Sequence, residues 1–337
     1  MRQARTFSLM SENCNIRRLS GLCVVGGINA AAGTPIRQNR NASAASLRAH
    51  LLETGNTVQF KELSYANEND RRLKRWFIRS MEGLAGRNRY ARLYTQWRDT
   101  IVGKSDRIFG DMLDLINVRV RVQGEWPPRH LPDTPVVIVA NHPFGIGDGI
   151  AVLSLAEQLG RPFRVLINNE LLKVPEMAPY SLPISFEETK EALAINMQTR
   201  HEAVRLLKEG VTLIVFPAGG VATARKGFGR AEDLPWKMFP AKLIQAAKAS
   251  VIPIYFEGQN GRLFHLASKV SLTLRISLLI REFRRLSGTT ISSRIGQLIS
   301  WEELSAIADR KDILTRIYDG VFCMAPPRRR FLERVAS

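Results

Sequence analysis

A run of six consecutive apolar residues, 135–140, limits the possible folds of this chain more than any other feature. The run reads Pro, Val, Val, Ile, Val, Ala and offers no polar side chain to solvent on either face. Such a continuous run is typical of a strand buried on both faces, as in parallel sheets that helices cover on both sides. Similar short runs return at 163–167, 211–216 and 251–256. The chain is therefore expected to contain a mostly parallel sheet.

Helical patterns separate the later runs. One helix is predicted over residues 187–208, opened by a capping box of Ser185 and Glu188, and another over 236–249. Strands that alternate with helices indicate βαβ units. The predicted fold class is α/β, a mostly parallel central sheet with helices on both faces, preceded by an N-terminal helical layer.

Length and composition suggest four segments. Residues 1–60 are predicted to be a disordered or processed basic extension, and residues 61–117 the N-terminal helical layer. Residues 118–280 are expected to form the α/β domain, and residues 281–337 a basic, helical C-terminal tail.

The net charge calls for an anionic partner. Lys and Arg number 49 against 31 Asp and Glu, a formal charge of +18, which suits nucleic acid, acidic membrane or a phosphorylated small molecule. Residues 71–79 interleave cations with Leu73, Trp76 and Phe77 at helical spacing, which indicates either a helix packed on the domain or one lying on a membrane surface. No window approaches the roughly 20 apolar residues that a spanning helix requires.

Several classes of protein are disfavoured. The cysteines and histidines do not occur at metal-ligand spacing, so no metal and no cofactor is expected. There is no Gly-x-Gly-x-x-Gly or Walker loop, and no Gly-x-Ser-x-Gly elbow of a serine hydrolase. The basic residues lack the aromatic interleaving of single-strand platforms and any DNA-reading motif, so nucleic acid is not expected as a partner.

The loop after the first apolar run carries a histidine and an aspartate. Residues 141–149 read Asn-His-Pro-Phe-Gly-Ile-Gly-Asp-Gly, and the glycines allow the loop to bring Asp148 back to His142. A carboxylate that fixes the imidazole tautomer makes the histidine a general base toward a hydroxyl group. The alternative is structural: Asp148 caps the next helix and His142 fills a turn.

A second loop, at 216–221, follows the run at 211–216. Its small residues allow backbone N–H groups to approach an anion, and Arg225, Lys226 and Arg230 follow closely. A plain turn with a solvated basic flank is the alternative.

In these two loops the sequence resembles the glycerolipid and lysophospholipid acyltransferases, in the branch often described as hemolysin-like. Asn141, His142 and Asp148 match the first family motif, although five residues separate His from Asp where the general family has four. The longer spacing and the His-Pro-Phe-Gly pattern resemble the hemolysin-like branch.

The second family motif reads Phe-Pro-Glu-Gly, and Phe216, Pro217 and Gly219 match it while Ala218 replaces the glutamate. The family uses this glutamate in acceptor binding, so the departure bears on the identity of the acceptor. Residues 251–253 resemble the last motif, a strand that ends in Pro, and the resemblance spans about residues 63–280.

The resemblance implies transfer of a fatty acyl group from an acyl-CoA or acyl-carrier-protein thioester to the hydroxyl of a lysophospholipid or related lipid. His142 and Asp148 would be catalytic. The substrate-binding residues would be Asn141, Gly145, Phe216, Pro217, Ala218, Gly219, Gly220, Arg225 and Lys226. The expected location is cytoplasmic, peripheral on the inner face of an anionic membrane. Because the second loop is altered, a non-catalytic lipid-binding relative of the same fold is the alternative.

Overall fold

A seven-stranded sheet organises the described part of the chain. The computed structural model describes residues 87–168, 174–185, 189–270 and 272–326. The strand order is β1-β7-β6-β2-β5-β3-β4, and every neighbouring pair is parallel except β6 with β7. The strands are β1 Arg119–Gln123, β2 Val136–Ala140, β3 Phe163–Asn168, β4 Ser181–Ile184, β5 Thr212–Val215, β6 Ser250–Glu257 and β7 Thr290–Ile295.

Helices cover both faces of this sheet. In chain order they are α1 Arg87–Thr100, α2 Ile108–Leu115, α3 Ile146–Glu157, α4 Lys190–Lys208, α5 Phe239–Ala247, α6 Arg262–Val270, α7 Leu272–Leu286, α8 Trp301–Ser305 and α9 Arg310–Phe322, with a short 3₁₀ helix at Pro175–Tyr180. The central strand β2 is buried throughout. Val137 and Val139 pack in the cluster with α4, α5 and α9, whereas Val136, Ile138 and Ala140 pack in the cluster with α2 and α3. The predicted fold class is confirmed.

Most predicted elements lie within one to three residues of their observed bounds. The strand predicted at 211–216 is Thr212–Val215, and the one predicted at 251–256 is Ser250–Glu257. The start of α4 was predicted wrongly. Thr189 is its N-cap and accepts a hydrogen bond from the Ala192 N–H, so Ser185 does not cap this helix.

The predicted boundary at residue 280 is also wrong. Strand β7 lies inside the sheet, paired with β1 on one side and β6 on the other. Helix α9 buries Ile313, Ile317 and Val321 in the cluster beneath β2. Residues 281–326 are therefore part of the α/β domain, because they complete both its sheet and its core.

The predictions for residues 1–60, for the amphipathic segment 71–79 and for the last residues, 327–337, lie outside the described residues. Among the described residues, no helix is both long enough and apolar enough to cross a membrane.

Candidate active site

Two loops meet at the carboxyl ends of the neighbouring strands β2 and β5. In open parallel sheets this edge is where ligands bind. The Ala222 N–H donates a hydrogen bond to the His142 carbonyl at 2.7 Å, which joins the second loop to the first. The Phe216 ring lies beside the His142 ring, with centroids 4.2 Å apart and planes inclined by 32°. The two loops that the sequence analysis singled out therefore form one site.

His142 and Asp148 are the paired groups of this site. The His142 Nδ1 and Asp148 Oδ1 atoms are 3.1 Å apart, and the carboxylate is fully buried whereas the imidazole keeps a small exposed fraction. The geometry of Nδ1 and Oδ1 does not meet that of a well-aligned hydrogen bond, so the contact is a close approach of imidazole and carboxylate, which becomes an ion pair when His142 is protonated. Such pairs are often loose in a free enzyme and tighten when substrate binds. With Nδ1 facing the carboxylate, Nε2 is the nitrogen left to take a proton from a substrate.

Asp148 also holds the loop closed. Its other carboxylate oxygen, Oδ2, accepts a hydrogen bond from the Phe144 N–H at 3.0 Å. Asp148 lies in the first turn of α3, where the helix dipole stabilises negative charge. Helix α3 has no side-chain cap hydrogen bond, so Asp148 does not act as its cap. One carboxylate oxygen pairs with His142, and the other closes the loop through the Phe144 N–H.

The environment of His142 raises the pKa of its imidazole above the ordinary value. Burial is the largest single influence and lowers this pKa, but the charge and hydrogen-bonding capacity of Asp148, with a contribution from Asp233, outweigh it. Arg275 opposes the rise. The imidazolium that forms when His142 takes a proton is thus stabilised by the neighbouring Asp148 carboxylate.

Asn141 does not present its side chain to a ligand. Its Nδ2 donates to the Phe256 carbonyl at 2.9 Å, and its Oδ1 accepts from the Phe256 N–H at 2.6 Å. Strand β2 ends at Ala140, so β6 has no main-chain partner on this side beyond that point. The Asn141 side-chain amide supplies the missing hydrogen bonds. The prediction that Asn141 binds substrate is therefore corrected: it fixes the position of the residue that follows, His142.

Gly145 is required by the shape of the loop. Its φ is 83°, in the region that glycine adopts without strain, and it immediately precedes α3. A Cβ at this position would lie 2.9 Å from the Val221 Cγ2 and 3.1 Å from the Leu279 Cδ2. Gly145 therefore allows close packing between the two loops and α7.

The second loop is a tight turn with a buried centre. Pro217 and Ala218 are buried, and the Pro217 carbonyl accepts a hydrogen bond from the Lys237 N–H at 2.9 Å. Gly219 has a φ of 66°, and Gly220 is close to Leu234, whose Cδ1 would lie 3.1 Å from a Cβ at that position. Ala218 is buried, and its methyl side chain supplies no polar group where the family motif has a glutamate.

The basic flank of this loop is not gathered at the histidine. The Arg225 side chain is 87% exposed and pairs with Glu232 at 2.9 Å. Arg230 donates to the Tyr255 hydroxyl and to the Pro326 carbonyl, and Lys226 is exposed. The prediction that Arg225 and Lys226 hold the substrate phosphate in this site is not supported by their positions.

The cation at the site is Arg275 of α7, which the sequence analysis did not assign. Its guanidinium donates to the Val221 carbonyl at 2.6 Å and lies over the Phe264 ring, 5.6 Å from the centroid. Burial lowers the pKa of Arg275. A Cβ at Gly220 would be 3.8 Å from this guanidinium, so Arg275 lies beside the second loop. The available signal was a charge that interrupts the apolar stretch 270–280.

A second carboxylate near the histidine was also missed. Asp233 accepts the His142 N–H at 3.2 Å through Oδ1 and the Trp236 indole N–H at 3.1 Å through Oδ2. Burial raises the pKa of Asp233, although both hydrogen bonds favour its charged form. A lone aspartate in an irregular segment gives no pattern that sequence reasoning could use.

The described residues contain no ligand set of the kind that metal ions require in proteins. Within residues 87–168, 174–185, 189–270 and 272–326, no group of three or more His, Cys, Asp or Glu side chains is arranged to hold an ion.

Comparisons with known proteins identify the family to which the chain is similar. A family model described as Acyltransferase matches residues 119–312, which include both loops. Among solved structures, the chain is similar to the 1-acyl-sn-glycerophosphate (LPA) acyltransferase PlsC from Thermotoga maritima. The two share 18% sequence identity with a TM-score of 0.41, over 66% of this chain and 79% of that chain. A comparison with curated proteins gives no match.

Proposed function

Because this chain belongs to the acyltransferase family and is an acyltransferase, we propose that it transfers a fatty acyl group from a thioester donor to a lipid hydroxyl. The donor would be acyl-CoA or acyl-carrier protein, and the acceptor a lysophospholipid or a related lipid. The observation that carries the proposal is the pairing of His142 with the buried Asp148 at the carboxyl end of β2. Family membership favours a catalyst over the non-catalytic lipid-binding relative that the altered loop first suggested.

In the proposed reaction His142 acts first as a general base and then as a general acid, with the same proton. Nε2 of His142 takes the proton of the acceptor hydroxyl as its oxygen attacks the thioester carbonyl carbon. The tetrahedral intermediate then breaks its C–S bond, and the imidazolium returns the proton to the leaving thiolate. An ester and a free thiol result, without a covalent acyl-enzyme, and general-base catalysis of this kind contributes about 10² to 10⁴ in rate.

Stabilisation of the negative oxygen is assigned to the start of α3. The first N–H groups of an α-helix have no acceptor within the helix, and their dipoles favour an anion. The groups concerned belong to residues 145–147, next to the histidine loop. Such preorganised donors typically contribute a factor of about 10² to 10³ in kcat.

Arg275 is the proposed contact for the anionic part of a substrate. It is half-buried beside Gly220, it opposes the protonation of His142, and burial already lowers its own pKa. A bound phosphate would stabilise the charged guanidinium of Arg275 against its burial through a charge-assisted hydrogen bond. The phosphate of a lysophospholipid and that of the donor's phosphopantetheine share this chemistry.

The proposal needs no cofactor, because a thioester is reactive without one. It places the enzyme at the inner surface of an anionic membrane, in the cytoplasm, since both a lysolipid and its product reside in a bilayer. Nucleic acid has no part in it.

The decisive experiment measures acyl transfer by the purified full chain, with radiolabelled acyl-CoA or acyl-carrier protein and a panel of lysolipids. His142→Ala should abolish transfer and leave the melting temperature unchanged. His201→Ala, a change at an exposed histidine on α4, is the matched control and should retain wild-type rates. Transfer by the His142 variant at near wild-type rate would refute the assigned base. Lipid profiling of a deletion strain, complemented by either variant, identifies the acceptor from the lipid that is lost.

A further inference from the structure

The outer side of α6 is an apolar face on a helix that packs beside the site. Leu263, Leu266 and Val270 are 47%, 47% and 78% exposed. Their spacing of three and four residues places them on one side of the helix. The opposite side buries Phe264 and Ala267. Scattered exposed aliphatic residues are ordinary, but three on one helical stripe are not.

Phe228 extends this face from the second loop. It is 65% exposed. A Cβ at the adjacent Gly227 would lie 3.1 Å from the Leu266 Cδ2 and 3.4 Å from the Lys269 Cδ, so the loop rests directly on α6. We call the set Leu263, Leu266, Val270 and Phe228 the α6 face.

The surroundings of the α6 face are basic. Arg225, Lys226, Arg262 and Lys269 are all exposed. Residues 258–281 contain no Asp or Glu, and neither do residues 210–231. The carboxylate of Glu232, which pairs with Arg225, is the one acidic contact seen among these described cations. A rim of one sign complements an anionic surface, because cations near such a surface are attracted to its lipid headgroups.

The α6 face lies one helix thickness from the catalytic loops. On its inner side, Phe264 and Ala267 share a cluster with Val221 and Leu278. Val221 in turn packs at Gly145, in the histidine loop. An α-helix with its side chains is about 10 Å across, so a bilayer touching the outer side of α6 would bring lipid close to the site.

We propose that the α6 face docks on the surface of an anionic lipid bilayer, with its four apolar side chains in the interface and its cations on lipid phosphates. This inference rests on the proposed function, because a lipid acceptor must be taken from a membrane. Amphipathic helices with an apolar stripe and a basic flank bind in this way. The exposed Arg225 and Lys226, predicted from the sequence to hold substrate phosphate, thereby gain a role at the headgroups.

Vesicle flotation with the full chain tests the proposal. The vesicles contain phosphatidylglycerol and phosphatidylcholine in equal amounts, with phosphatidylcholine alone as the uncharged comparison. The double variant Leu266→Glu, Val270→Glu should lose at least about tenfold in partition to the anionic vesicles, because two apolar side chains that would enter the bilayer interface become negatively charged. The matched control is Leu193→Glu, Met197→Glu on α4, whose residues are 62% and 55% exposed and belong to another helix. It should change partition less than about twofold.

Activity measurements separate this inference from the proposed function. The α6 double variant should keep wild-type transfer to a short-chain, monomeric acceptor and lose transfer to an acceptor embedded in vesicles. His142→Ala should float like wild type. Flotation that depends on the α6 face in a protein without transferase activity would support docking and refute the function.

Two outcomes would overturn the docking proposal while leaving the function intact. One is unchanged flotation of the double variant, which would assign membrane binding to another part of the chain. The other is a wild-type dimer, seen by light scattering, that the double variant converts to monomer, since the α6 face would then be an interface between two copies.

Discussion

Replacing Asn141 with Ala tests how the histidine loop is anchored. The side chain is almost wholly buried and makes two hydrogen bonds to the backbone of Phe256, one as donor at 2.9 Å and one as acceptor at 2.6 Å. Phe256 is itself buried. With Ala, both backbone groups lose these hydrogen bonds in a buried environment.

The expected cost follows from these two bonds. Leaving one buried donor or acceptor unpaired costs about 1 to 3 kcal/mol. Two groups therefore predict a loss of about 2 to 6 kcal/mol in the free energy of unfolding. Asn141→Asp keeps an oxygen that can accept from the Phe256 N–H, but it places a carboxylate oxygen against the Phe256 carbonyl. It should therefore not restore stability.

Ser154→Ala is the matched control for Asn141→Ala. Ser154 is equally buried, but its hydroxyl donates to the Ala151 carbonyl within the same helix, at 2.8 Å. That carbonyl keeps its helical N–H partner after the change, so the control should cost less than about 1 kcal/mol.

Urea unfolding at equilibrium, with linear extrapolation to water, measures both variants. Transfer assays on the folded Asn141→Ala protein should show a lower kcat with little change in KM, because the substitution displaces the base and removes no substrate contact. A loss of stability no greater than that of Ser154→Ala, or a rise in KM alone, would refute the anchoring role and restore Asn141 as a binding residue.

Three further predictions concern the same edge of the sheet. Asp148→Asn removes the charge that raises the pKa of the paired histidine. Since the neutral imidazole is the base, the acidic limb of the kcat/KM profile should move to lower pH while the plateau falls about 100-fold. An acidic limb that stays at the same pH would contradict the pairing. Gly145→Ala should destabilise the chain by about 1 to 3 kcal/mol more than Gly103→Ala, because both have positive φ but only Gly145 is crowded; equal melting temperatures would contradict this. Arg275→Gln should raise KM for a phosphate-bearing substrate about tenfold or more, whereas the exposed Arg225→Gln should change it less than about twofold, and steady-state kinetics with equal effects would exclude the assignment.

Strands with continuous apolar runs could be predicted well, and strands without them could not. Strands β2, β5 and β6 follow from their Val, Ile and Leu content, because a strand buried on both faces needs such residues throughout. Strand β7 reads Thr-Ile-Ser-Ser-Arg-Ile and has no comparable signal. Ser293 is nonetheless fully buried, with its hydroxyl on the Arg121 carbonyl at 3.3 Å. Only its neighbours β1 and β6 make that segment a strand.

The candidate site divides in the same way. His142 and Asp148 were predicted because they share one loop after a recognisable strand, so a local pattern was enough. Arg275 comes from a helix far along the chain, and Asp233 from an irregular segment, and nothing local links either to the histidine. Arg225 and Lys226 show the opposite error: nearness along the chain suggested nearness in space, but their side chains point to solvent and to Glu232.

The sequence by itself determined the α/β class, the positions of the central strands along the chain and the histidine–aspartate pair, because burial on both faces and short loops leave periodic, local signals. Tertiary structure alone decided which distant groups surround that pair. It placed Arg275 beside the second loop, turned the Asn141 amide toward β6, and made residues 281–326 part of the sheet. The physical reason is that charge and hydrogen-bond partners are selected by distance in space, for which separation along the chain gives no measure.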